Sequence, residues 1–208
     1  MVNLSKLSKG LNLLFAVGIM SIGGLFIPLL GFAVICVNVC ALFFMYNSHR
    51  NYAIALVATL LRIVLTVTAV MKAGTSLAII AGVGAVVLSI LEVGLICMTT
   101  GKILRDADLA IAPSGEQVLL VTLIARLSRE VSAYRPAVEM LAMMSEVLML
   151  VSTIMVMVFY FKASKAFATA VQEQKAKEAA ALSDDLDSDY DDYDEDDTYD
   201  EDEGFDEA

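Results

Sequence analysis

An all-α, multi-pass transmembrane helical bundle is what the sequence predicts, and three observations carry that prediction. The 208 residues are 58% hydrophobic, with a mean hydropathy of +0.72. Their apolar residues come in blocks of about 20 or more, the length a helix needs to cross a bilayer, where a soluble chain shows shorter periodic pieces. Charge is segregated: residues 183–208 hold 16 acidic side chains and no basic one, leaving 9 acidic against 14 basic elsewhere, so the net −11 hides a body of about +5. The basic residues flank apolar blocks and form no stripe, which excludes a nucleic-acid surface and makes the lipid bilayer the expected partner.

The first apolar block, residues 11–46, would be roughly 54 Å long as one helix, too long for one crossing. Within it "SIGGLFIP" supplies Gly23, Gly24 and Pro28, residue types at which an apolar helix breaks. Two spans in a tight hairpin are expected, about 5–23 and 26–46, with a re-entrant pair as the alternative. The opening "MVNLSKLSKG" resembles the start of a signal peptide, but no polar stretch of small residues at cleavage spacing follows. An uncleaved first span is therefore expected.

After the polar loop "YNSHRN" comes a third span, about 52–71, and the turn "KAGTS" leads to a fourth, about 76–99. Thr75 or Ser76 is its N-cap. On the fourth span Ala78 and Gly82, with Ala81, Ala85 and Ser89, recur at spacing four. Such a small-residue face lets a neighbouring helix approach closely. The partner expectation is a homo- or hetero-oligomer through Ala78, Gly82, Ala85 and Ser89.

Residues 101–136 are too polar to cross. "SGEQ" fits a capping box with Ser114 as N-cap and Gln117 at N3. Beyond it, Leu120, Leu123, Ile124, Leu127 and Val131 share one helical face, and Thr122, Arg126, Arg129 and Ser132 the other. An amphipathic helix, about 115–133, is expected at the membrane surface or on the bundle. Pro136 suits the first turn of a fifth span, about 136–161. The helix is expected to run on to about Leu182, closing a transmembrane domain of residues 1–182. The acidic tail, 183–208, repels itself and is expected to be disordered.

With five spans and a cytoplasmic N-terminus, eight Lys and Arg lie inside and five outside. That is the expected sense of the positive-inside bias. It puts the tail outside and fits a location in the cell (plasma) membrane.

Arg62 stands in "VATLLRIVLTVTAV", an otherwise apolar or small run. Counted from Tyr52 it is roughly 15 Å deep, near mid-bilayer, where an unpaired arginine costs at least about 2.5 kcal/mol. The same counting puts Glu92, Glu146 and Asn38 roughly 10 to 15 Å deep. The expected arrangement is an intramembrane polar cluster of Arg62, Glu92, Glu146 and Asn38. Arginine's planar fork can bridge two carboxylates.

Cys36 and Cys40, one turn apart, and the methionines of the fifth span are soft ligands in type, but both are ordinary apolar filler. No metal and no cofactor is expected. The tail's alternating aspartates fail the calcium-loop pattern, since Asp192 and Thr198 stand where Gly and Glu are required. There is one histidine, and no nucleophile–base set, phosphate loop or dinucleotide loop. The chain is expected not to be an enzyme. A structural, accessory or assembly protein clamped by the polar cluster is the leading expectation. The alternative is a small proton- or ion-coupled transporter or channel subunit using Arg62, Glu92 and Glu146.

Overall fold

The computed structural model describes residues 3–23, 28–134 and 139–188. Among them are six helices and no strand: α1 Leu4–Gly23, α2 Pro28–Met45, α3 Arg50–Met71, α4 Ser76–Asp106, α5 Gly115–Tyr134 and α6 Glu139–Ser188. Three helical stretches are long and apolar enough to cross a membrane: α3, α4 and residues Ala142–Ala180 of α6. The chain is a helical membrane protein.

Local chemistry accounts for the helix boundaries. α1 stops at Gly23 and α2 opens on Pro28, where the missing N–H costs nothing. His49 caps α3, its Nδ1 accepting from the Asn51 N–H at 3.2 Å, so this residue is more than a solvated loop position. Gly74 turns the chain at φ +84°, and Thr75 Oγ1 then accepts from the Ala78 N–H at 3.4 Å to start α4. The α5 capping box is reciprocal: the Gln117 N–H donates to Ser114 Oγ at 3.3 Å, and the Ser114 N–H to Gln117 Oε1 at 3.0 Å. α4 continues past Thr99 to Asp106 because Ile103 and Leu104 are themselves buried in the core.

Successive helices run antiparallel, and specific contacts fix their register. Gly10 of α1 lies against Met45 and Ala41 of α2. The Tyr52 hydroxyl meets Thr100 Oγ1 at 2.8 Å, and Asn51 Nδ2 donates to Thr99 Oγ1 at 2.9 Å, joining the start of α3 to the far half of α4. Gly94 and Cys97 of α4 pack on Leu119 and Gly115 of α5. Ser152 Oγ of α6 donates to Thr122 Oγ1 of α5 at 2.9 Å. A double bond ties the first helix to the last: Ser8 Oγ donates to the Ser164 carbonyl and Ser164 Oγ to the Ser8 carbonyl, each at 3.0 Å.

The tightest core gathers at one end, around Leu7, Leu42, Met45, Tyr52, Cys97, Val118, Phe159 and Phe167. Toward the other end Phe32, Val70, Met71, Ile80, Met140 and Met143 point outward. That is what helices facing hydrocarbon do.

The structure places α5 on the bundle, one of the two placements expected, with an orientation that its pattern alone does not give. Its apolar residues Leu120, Leu127 and Val131 are more than half exposed, while Thr122 is 4% exposed. The helix packs against α4 and α6, with Val118, Thr122 and Ala125 inward and Leu120, Leu127 and Val131 outward. The physical reason is the solvent. A bundle surrounded by lipid tails exposes leucine at no cost and must bury hydroxyls and charges where they find partners.

Residues from Gln172 onward form a separate unit. There α6 continues to Ser188, past the boundary expected at Leu182, with Gln174 Nε2 donating to Glu178 Oε1 at 3.2 Å. Residues 24–27, where the first break is expected, Pro136 and the tail from 189 onward lie outside the described residues.

Candidate functional site: a charged cavity inside the bundle

Glu92 sits on the inward face of α4 with a side-chain exposure of 6%. Its two oxygens are divided between two helices. Oε1 accepts from Asn38 Nδ2 of α2 at 2.7 Å. Oε2 lies 3.2 Å from Arg62 Nε of α3, misaligned for a hydrogen bond, so that contact is an ion pair held by charge. Three of the four residues expected in the cluster, Arg62, Glu92 and Asn38, are thus brought together across three helices.

Glu146 is not among them. It is exposed on α6 and makes no ion pair with any described residue. The cause is the placement of α5. Because α5 runs along the bundle, α6 starts at the end opposite to the one assumed. Lys162 of α6 donates to the Ala112 carbonyl in the α4–α5 connection, at the end where α3 begins. Counted from that end, Glu146 is roughly 24 Å along the helix, well beyond Arg62 at roughly 15 Å.

The fourth residue near the cluster is a second cation. Arg126 of α5 lies within Coulombic reach of both Arg62 and Glu92. Its Nε is buried without a hydrogen-bond partner. Sequence reasoning put Arg126 on a water-facing side. The signal that finds it is the same depth count: eleven residues past Gly115 is roughly 16 Å, level with Arg62.

These groups line a cavity of about 330 Å³ to which all six helices contribute. Its polar lining includes Ser21, Asn38, Arg62, Ser89, Glu92, Thr122, Arg126, Ser152, Thr153 and Tyr160. Leu14, Val17, Ile35, Ile96, Met149 and Met157 are among its apolar walls. Several hydroxyls are already committed. Thr122 donates to the Val118 carbonyl at 2.7 Å, and Thr153 to the Met149 carbonyl at 2.8 Å. The lining carries two arginines against one carboxylate.

A larger groove, of about 820 Å³, runs along the α4–α5 connection. It mixes Lys102 and Arg105 with Asp106, Asp108 and Glu116. Its one ion pair, Arg105 to Glu116 at 2.8 Å, is solvent-exposed on both sides and contributes little. The buried, incompletely partnered charges lie in the smaller cavity.

Cys36 and Cys40 are exposed and Cys97 is buried. Among the described residues no three His, Cys, Asp or Glu side chains are grouped to hold a metal. No family model, curated protein or solved structure matches the chain.

Proposed function

We propose that the chain is a non-enzymatic integral membrane protein of structural, accessory or assembly type, a bundle clamped at mid-depth by Arg62, Glu92 and Asn38. The observation that carries this reading is the division of Glu92 between α2 and α3. One carboxylate fixes the register of three helices, the attested use of polar groups inside membrane bundles. The small residues Ala78, Gly82 and Ala85 of α4 remain its proposed association face. A Cβ at Gly82 would meet nothing. Ser89 is taken up by the cavity.

The test is a double substitution. Replacing a buried ion pair with apolar residues of similar size is often neutral. Arg62→Met/Glu92→Met is expected to melt, in detergent, within about 1 kcal/mol of the parent chain. It is expected to leave proton and ion permeability of proteoliposomes unchanged. The cavity favours a second reading, a small proton- or ion-coupled transporter or channel subunit using Arg62 and Glu92, with Arg126 in place of Glu146. A flux present in the parent chain and abolished in a stable double variant would establish that reading in place of the clamp.

Topology belongs to the same proposal. The antiparallel course of α5, roughly 30 Å long, supports six crossings in place of five. Lys6, Lys9, Arg50, Lys102, Arg105, Lys162 and Lys165 then share one end, against Lys72, Arg129 and, by its place in the sequence between α5 and α6, Arg135 toward the other. That bias is stronger than the one five crossings provide, and it marks the basic end as cytoplasmic, the plasma membrane being the proposed location. Both termini are then cytoplasmic. A reporter fused after Ala208 is expected to fluoresce as a cytoplasmic fusion and to be inactive as an exported one. The reverse result restores an odd number of crossings.

A further inference from the structure

We infer that the cavity is a binding site for a singly charged oxyanion, with Arg126 as its principal anchor. The argument begins with charge. Glu92 is matched by Arg62 and Asn38, which leaves the Arg126 guanidinium without a carboxylate. No described acidic side chain comes within ion-pair distance of it, Glu130 one turn further along α5 included. The cavity therefore carries one net positive charge.

A partly buried cation with no ion-pair partner is costly, and this one shares the cavity with a second arginine, which raises the cost. An anion entering the cavity removes both penalties at once. The guanidinium presents a planar fork of donors that matches a carboxylate or phosphate, and its Nε has no hydrogen-bond partner among the described residues. A single negative charge balances the site and a second would overfill it. The apolar share of the walls, with Leu14, Val17 and Ile96, suits a ligand with a short hydrocarbon part. The oxyanion can come from a free monocarboxylate or from the headgroup of an anionic lipid. The chemistry is the same for both. This inference goes beyond the clamp: Arg126 makes no hydrogen bond or ion-pair contact with Glu92, whose oxygens face Asn38 and Arg62, so the two can be tested by separate substitutions.

The experiment uses the full chain in detergent, with sodium butyrate as the anionic probe and tetramethylammonium chloride as a cation of similar size. Butyrate is expected to raise the melting temperature in a saturable way, and tetramethylammonium is not. Arg126→Gln is expected to weaken butyrate at least about tenfold, the equivalent of one lost charge-assisted hydrogen bond. Its own melting temperature should equal or exceed that of the parent, because an unpaired buried charge has been removed. Arg126→Lys keeps the charge without the fork and is expected to fall between. Repeating the titration in nanodiscs separates the sources. Butyrate binding in phosphatidylcholine that is lost in phosphatidylglycerol assigns the oxyanion to the lipid headgroup, and binding kept in both assigns it to a free carboxylate. A folded parent chain that butyrate does not stabilise overturns the inference. So does an Arg126→Gln variant that binds butyrate as the parent does, or equal stabilisation by tetramethylammonium.

Discussion

Glu92→Ala is expected to destabilise the bundle by about 3 kcal/mol, the low end of the cost of removing one partner from a buried ion pair. The low end applies because the Arg62 side chain keeps 30% exposure and can relax outward. The loss has three parts. Asn38 Nδ2 loses its acceptor, Arg62 loses its counter-charge, and two arginines are left in one cavity without a carboxylate. Glu92→Gln separates them, since it keeps an acceptor for Asn38 and removes only the charge, and should fall between the parent and Glu92→Ala. The readout is the midpoint of thermal unfolding in detergent, followed by loss of helical circular dichroism. A Glu92→Ala variant as stable as the parent would show that Arg62 finds another partner, and the clamp would be withdrawn.

Gly115→Val is expected to cost about as much, about 3 kcal/mol, for a steric reason. A Cβ at Gly115 would run into the backbone carbonyl of Cys97, and helix backbone cannot step aside as a side chain can. Gly115→Ala should already cost about 2 kcal/mol. Two other glycines serve as controls of different sign. At Gly10 the added carbon meets Cγ of the buried Met45 and comes within 3.0 Å of the Ala41 carbonyl, so alanine is expected to destabilise, by about 1 kcal/mol. At Gly31 it meets nothing, and alanine should stabilise by roughly 0.5–1 kcal/mol through backbone entropy alone. Ordering the three alanine variants by melting temperature tests the α4–α5 contact without any assumption about ligands.

Much of the architecture is legible because helix ends are local chemistry. Gly23 and Pro28 mark the first break, Thr75 caps α4, and Ser114 with Gln117 forms the capping box that starts α5. The pairing of Arg62 with Glu92 is legible because depth along a helix can be counted from its ends. What is not legible is the environment of a moderately polar helix. The pattern of α5 is the same for a helix lying between water and lipid as for one with hydroxyls inward and leucines toward lipid. Only packing decides. Once α5 is misplaced, the direction of α6 is reversed, Glu146 is drawn into the cluster, and Arg126 is left out of it. The errors share one origin.

The bond pair between Ser8 and Ser164 bears on how the molecule is made. The two residues are 156 positions apart, and each hydroxyl serves the other's backbone. Helix α1 is synthesised first, yet this partner follows near the end of the helical domain. Until α6 is made, α1 has its neighbour α2 but lacks the partner of Ser8. Closure is thus a late, long-range step, and the nascent chain is most exposed to mispairing just before α6 arrives.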